Sequence, residues 1–183
     1  MFSFQKQLFK TTLLLIVFIC FVSACKQPES KLKKYGTLLE DVMVSDSGAF
    51  RGLSLGEKLD AVQAHEKGKP SEADDDGYLY YENKLDSSNT FNIAYSFDEG
   101  GLNEIQSDIY IANPDNTDRI FNSFKRFFDD HYGASVSHED YTIWTVMSEK
   151  YGVVRINLSN ESSDFTVPNS PGKISIWIYP DAN

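Results

Sequence analysis

Three successive stretches, 78–85, 90–97 and 102–111, place β-branched or aromatic residues at alternate positions and are separated by short runs of turn chemistry. A period of two gathers one set of side chains on one face of a pleated strand, the pattern of a half-buried sheet. In the second stretch Phe91, Ile93, Tyr95 and Phe97 share a face; in the third, Ile105, Ile109 and Ile111 do. The connections Asp86-Ser87-Ser88-Asn89 and Asp98-Glu99-Gly100-Gly101 are short enough to force antiparallel neighbours. A meander apolar on one side must bury that side against another element.

The next segment offers such an element. After Asn113-Pro114-Asp115, Ile120, Phe121, Phe124, Phe127, Phe128 and Tyr132 recur at helical steps, and Gly133 stands where a helix would end. Burying each ring is worth about 1.5 to 3 kcal/mol, so a helix laid on a sheet accounts for the stripe. The alternative is that this face and the first sheet enclose a ligand pocket. A second strand set follows: 141–147, where Ile143 and Thr145 alternate with Trp144 and Val146, then 153–158 and 174–179. The polar loop from Asn160 to Gly172, with Pro168 and Pro171, is of a length that is often functional. Upstream, Ser54 and Glu57 form a capping-box pattern ahead of Leu55, Leu59 and Val62, giving a helix that ends near Lys67-Gly68. Together these predict an α+β fold of two successive units. Each unit is a helix plus a three-stranded antiparallel set, with the helices packed on one face of the sheet.

The start of the chain has a different character. Lys6 and Lys10 precede an apolar run from Leu13 to Val22, shorter than the roughly 20 residues a spanning helix needs. The layout is that of a secretory leader, and Val22-Ser23-Ala24-Cys25 resembles the lipobox of bacterial lipoproteins. That resemblance implies cleavage before Cys25, a lipid on its sulfur and attachment to a membrane of the cell envelope. Lys26 in place of an aspartate implies the outer membrane in the Gram-negative sorting rule. The expected organisation is a signal peptide over 1–24, the lipidated Cys25 with a tether to 47, and a folded domain over 48–183. Its possible halves are 48–112 and 113–183. Within the tether, Leu38, Leu39, Val42 and Met43 have helical spacing over one or two turns, although Val42-Met43-Val44 could equally begin a strand.

Composition narrows the function. Removing Lys6 and Lys10 with the leader leaves 15 basic residues against 27 acidic ones, a formal charge of −12. Such a body repels phosphate backbones, so nucleic acid is not an expected partner. Of the two cysteines, Cys20 leaves with the leader and Cys25 takes the lipid, so the mature domain has no disulfide. His65, His131 and His138 stand in no metal-ligand or nucleophile spacing, and no phosphate loop or serine elbow is present. Glu72, Asp74, Asp75 and Asp76 lack the alternating spacing of a calcium loop and read as a solvated turn. No enzyme activity, metal or cofactor is expected.

Leu55-Gly56, then Val62, Pro70, Tyr78 and Tyr80 form a run, within residues 53–81, that is similar to the start of small BamE-like (SmpA/OmlA) outer-membrane lipoproteins. Here Gly68-Lys69-Pro70 lies one residue further from the valine than in that pattern. Two helix-and-sheet units also resemble the tandem architecture of secreted β-lactamase-inhibitor proteins. Both resemblances imply a binding module. The expected function is a non-enzymatic, membrane-anchored lipoprotein that binds an envelope protein or another macromolecule; a small-ligand or inhibitor-type module is the alternative. Tyr141, Trp144, Trp177 and Tyr179 are the candidate binding surface, because an antiparallel sheet can leave one face wet and exposed aromatics there favour a protein or glycan. The competing reading places both indoles in the core.

Overall fold

The computed structural model describes residues 30–74, 77–162 and 170–181. Eight strands, β1 (Glu72–Asp74), β2 (Tyr78–Lys84), β3 (Thr90–Asp98), β4 (Gly101–Ile111), β5 (Val136–His138), β6 (Tyr141–Ser148), β7 (Gly152–Asn160) and β8 (Gly172–Pro180), form one antiparallel sheet. Their spatial order is β1-β2-β3-β4-β8-β7-β6-β5. The joint lies in the middle, where β4 pairs with β8 and sets Ile105 opposite Ile178, Ser107 opposite Ile176 and Ile109 opposite Ile174. On the far side of β8, Ile156 faces Ile178 and Leu158 faces Ile176. Every one of these side chains is buried, so one inner face runs unbroken across the seam, apolar except for Ser107, whose hydroxyl donates to the Asn92 carbonyl.

Helix α1 (Thr37–Met43) follows a short 3₁₀ turn at Lys31–Tyr35; α2 (Leu59–His65) precedes the first strands; α3 (Thr117–Tyr132) precedes the second set. Helix α3 packs over β6, β7 and β8 through Ile120, Phe124, Phe127 and Phe128. The Phe128 ring lies 5.2 Å from that of Trp144, whose Nε1 donates to Asp129 Oδ1 at 3.1 Å. The aromatic stripe is therefore core, and it covers the second strand set instead of enclosing a pocket with the first.

The structure overturns the expectation of two helix-plus-three-strand units. Each strand set has a fourth member, β1 or β5, and the two sets are parts of one eight-stranded sheet. All six residues of β1 and β5 are exposed, so neither carries the apolar alternation by which a strand is read. Residues expected as an acidic turn, Glu72 and Asp74, belong to β1 and pair with Tyr80 and Tyr78. The β4–β8 pairing joins segments remote in sequence, and nothing local in either strand names its neighbour.

The segment expected as tether is corrected too. From Lys31 onward it belongs to the domain, burying Leu32, Tyr35, Leu39, Val42 and Met43. Leu32 and Tyr35 are three apart, which a 3₁₀ turn brings onto one face, while Lys31, Lys33 and Lys34 give the stretch a polar look. The Tyr35 ring meets Phe127 edge-on at 5.3 Å and its hydroxyl donates to Asp130 at 2.7 Å.

The capping-box pattern is used for a turn. Ser54 N–H donates to Glu57 Oε1 at 2.9 Å, but α2 begins only at Leu59, and the turn is bonded to the start of β4 instead. Gly56 N–H donates to the Leu102 carbonyl at 2.6 Å and Leu102 N–H to that of Glu57 at 2.7 Å. A Cβ on Gly101 would lie 2.6 Å from the Glu57 carbonyl oxygen, so this approach requires glycine.

A buried ion pair ties these pieces together. Arg51, held at φ 56°, donates from Nε to Glu66 Oε1 at 2.9 Å and from Nη2 to Oε2 at 3.0 Å. Its Nη1 reaches the carbonyl of Val42 in α1, and Tyr95 of β3 donates its hydroxyl to the same Glu66 carboxylate. Burial beside Glu66 pushes the Tyr95 phenol far above its usual range. Removing one member of such a pair strands a buried charge, so Glu66→Ala is predicted to cost about 3 to 5 kcal/mol in urea unfolding. The double variant Arg51→Met/Glu66→Leu should recover most of that loss. A cost for Glu66→Ala below about 1 kcal/mol, the range of a solvated pair, would contradict the assignment.

Candidate functional site

Strand pleating sends alternate side chains to opposite faces. With Ile174, Ile176 and Ile178 turned inward, Lys173, Ser175, Trp177 and Tyr179 share the outer face. Registers extend it: Trp177 stands opposite Gln106 on β4 and Asn157 on β7, and Ser175 opposite Asp108 and Ser159. Tyr141 of β6 stands opposite Ser159. Tyr78, Tyr80 and Tyr110 lie on the same face of the first strand set. Four of the large apolar or aromatic side chains left exposed, Val136, Tyr141, Met147 and Trp177, are all here.

Three of the four candidate residues, Tyr141, Trp177 and Tyr179, therefore meet on the outer face. Trp144 does not join them. It is fully buried on the inner face, because β6 alternates and its buried neighbour in phase is Thr142. The Ile-x-Ile-x-Ile run of β8 held the signal that separates the two tryptophans: an indole between two buried isoleucines must face the other way. Cys25 lies outside the described residues, as does most of the Asn160–Gly172 loop, at 163–169.

Between Trp177 and Tyr141 the face sinks into a cleft of about 320 Å³ floored by Asn157, Ser159 and Ser175 and bordered by Gln106, Glu161 and Lys173. At one end Lys173 Nζ sits 2.8 Å from Glu161 Oε2 and 3.3 Å from Asp108 Oδ1. Ser159 Oγ donates to Glu161 at 2.9 Å and Ser175 Oγ to Asp108 at 2.6 Å. Burial works against both charges, but the mutual pairing prevails: the Glu161 carboxyl is held below its ordinary range and the Lys173 ammonium above its own. Tyr110 beside this cluster is pushed up, first by burial and then by Asp108. Sequence reasoning missed these polar residues, since Asp108 and Lys173 become neighbours only when β4 and β8 pair.

Two of the three histidines have backbone partners, His65 Nε2 bonding to the Arg51 carbonyl and His131 Nδ1 to that of Phe127, while His138 is exposed in β5 opposite Tyr141. Asp129 and Asp130 are helix ligands for Trp144, Lys125, Tyr35 and Lys34 and not free surface charge. Among the described residues no group of three His, Cys, Asp or Glu side chains could hold a metal ion, and no helix is long and apolar enough to cross a membrane. No family model, curated protein or solved structure matches the chain.

Because the Glu161 carboxyl is held down, its ionisation favours folding above its ordinary value of 4.5, and that contribution fades as pH falls through the folded value. Lys173 runs the other way: its contribution is present below 10.5 and lost as pH rises through the raised value. Glu161→Gln should therefore flatten the acid limb of the urea-midpoint profile below pH 4.5. An acid limb identical to that of the parent chain would contradict the pairing.

Proposed function

We propose that this chain is a non-enzymatic lipoprotein of the bacterial cell envelope, anchored through a lipid on Cys25 and binding a macromolecular partner on the open face of its sheet. The observation that carries the reading is the uncovered outer face. It exposes Trp177 and Tyr141 beside a preformed polar cleft, while the helices are spent on the opposite side. A sheet stabilised from one side has no structural need of exposed rings on the other, and grouped aromatics with fixed polar neighbours are the composition of an interface centre.

The anchor reading rests on the basic start, the short apolar run and Val22-Ser23-Ala24-Cys25. Two or more acyl chains give durable attachment where one gives marginal binding. With a formal charge of −12 beyond the leader, the body stands off from anionic headgroups and leaves its face available. The resemblance of residues 53–81 to BamE-like lipoproteins agrees with this placement. A second reading, a small-ligand module, is favoured by the cleft itself, whose volume is at the lower end of small-molecule sites.

Cells grown with labelled palmitate should yield a labelled product whose chain begins at Cys25, and Cys25→Ala should abolish both label and cleavage. The full chain, recovered from detergent-solubilised envelopes after cross-linking, should retain a macromolecule that Trp177→Asp/Tyr141→Asp loses. Equal recovery by that variant would overturn the binding face, and an unlabelled product with its leader intact would overturn the anchor.

A further inference from the structure

We propose that the cleft between Trp177 and Tyr141 is a subsite for a neutral saccharide, so that the partner on the open face is a glycan chain. This rests on the reading of that face as the binding surface and names the chemistry it would recognise.

The first argument is the platform. Trp177 is 39% exposed, and the Tyr179 ring lies 4.3 Å from the indole at an angle of 36°. Tyr179 does not line the cleft whereas Trp177 does, so the tyrosine backs the indole and holds its plane. A pyranose ring carries a face of C–H groups bordered by hydroxyls. The C–H face packs on the electron-rich surface of an aromatic ring, and the hydroxyls require hydrogen-bonding groups around it.

The second argument is that those groups are present and fixed. Ser159 and Ser175 are oriented by their bonds to Glu161 and Asp108, and Lys173 is held between the two carboxylates. Asn157, only 6% exposed, is pinned through its Nδ2 to the Tyr179 hydroxyl at 3.1 Å, while its Oδ1 has no hydrogen-bond partner.

Charge and reach select the ligand class. The one lysine of the cleft is already neutralised by Glu161 and Asp108, so no free cation awaits a phosphate or carboxylate. An apolar ligand would strip water from the serine hydroxyls and the Glu161 and Asp108 carboxylates without replacing the hydrogen bonds that water makes to them, at a cost. Trp177 and Tyr141 stand on strands two apart, roughly 10 Å at about 4.8 Å per strand, and one row apart along them. That span suits an extended chain laid across the strands better than a single compact molecule.

The test is isothermal titration of the full chain, in a zwitterionic detergent free of sugar headgroups, with cellotriose and with the trisaccharide of N-acetylglucosamine. Saturable binding of at least one, accompanied by a tryptophan emission change, is expected; since Trp144 is buried, Trp177 supplies the change. Trp177→Ala should weaken binding at least about tenfold, and Tyr141→Ala should weaken it less, with urea midpoints close to that of the parent chain. No saturable heat up to about 10 mM with either sugar, or binding unchanged in Trp177→Ala, overturns the proposal. If sugars fail but the outer-face variant still loses its cross-linked partner, the partner is not a glycan and the binding face stands. If both fail, the face reading falls as well.

Discussion

The pairing of β4 with β8 is the contact on which the rest of the molecule depends. It makes one sheet out of two meanders, and it does so by matching Ile105, Ser107 and Ile109 to Ile178, Ile176 and Ile174 in a row that stays buried on both sides of the seam. The same register determines the reverse side: Asp108 lands beside Ser175 and Gln106 beside Trp177. Core and cleft are thus two faces of one alignment. A slip of one residue would exchange them, sending isoleucines to water and Lys173 into the apolar layer.

One-sided burial then dictates where everything else goes. Helix α3 fills the inner layer over the second strand set with aromatic rings, and Trp144 answers from below with its indole nitrogen bonded to Asp129. Over the first set the inner layer also holds the Arg51–Glu66–Tyr95 cluster, with the Arg51 guanidinium 5.1 Å from the Phe91 ring centre. The 3₁₀ turn and α1 lock onto α3 through Tyr35, Phe127 and Asp130. Every one of these devices acts on the same side of the sheet.

Much of this was legible residue by residue. Six strands and α3 each contain a full period of their own pattern, so Phe91-Ile93-Tyr95 or Ile120-Phe124-Phe127 declares itself without help from the rest of the chain. The elements missed lack that property. Glu72–Asp74 and Val136–His138 are strands only because β2 and β6 offer them an edge, and Leu32 with Tyr35 is too brief a pattern to outweigh three lysines. The cleft was half legible. Trp177, Tyr179 and Tyr141 could be nominated as aromatics, but Asp108 joins them only through the β4–β8 pairing across more than sixty residues of chain, and Glu161 only through the β7–β8 pairing. The capping-box residues show the opposite failure, a local signal whose hydrogen bond forms but whose role has been taken over by β4.

Hydroxyl-radical footprinting read by mass spectrometry tests the one-sided sheet most directly, because it compares residues of the same type on the two faces. Trp177 and Met147 should oxidise rapidly while Trp144 and Met43, both about 1% exposed, stay protected until the chain unfolds. Equal oxidation of the two tryptophans, or of the two methionines, in the native protein would contradict the register on which the whole account stands.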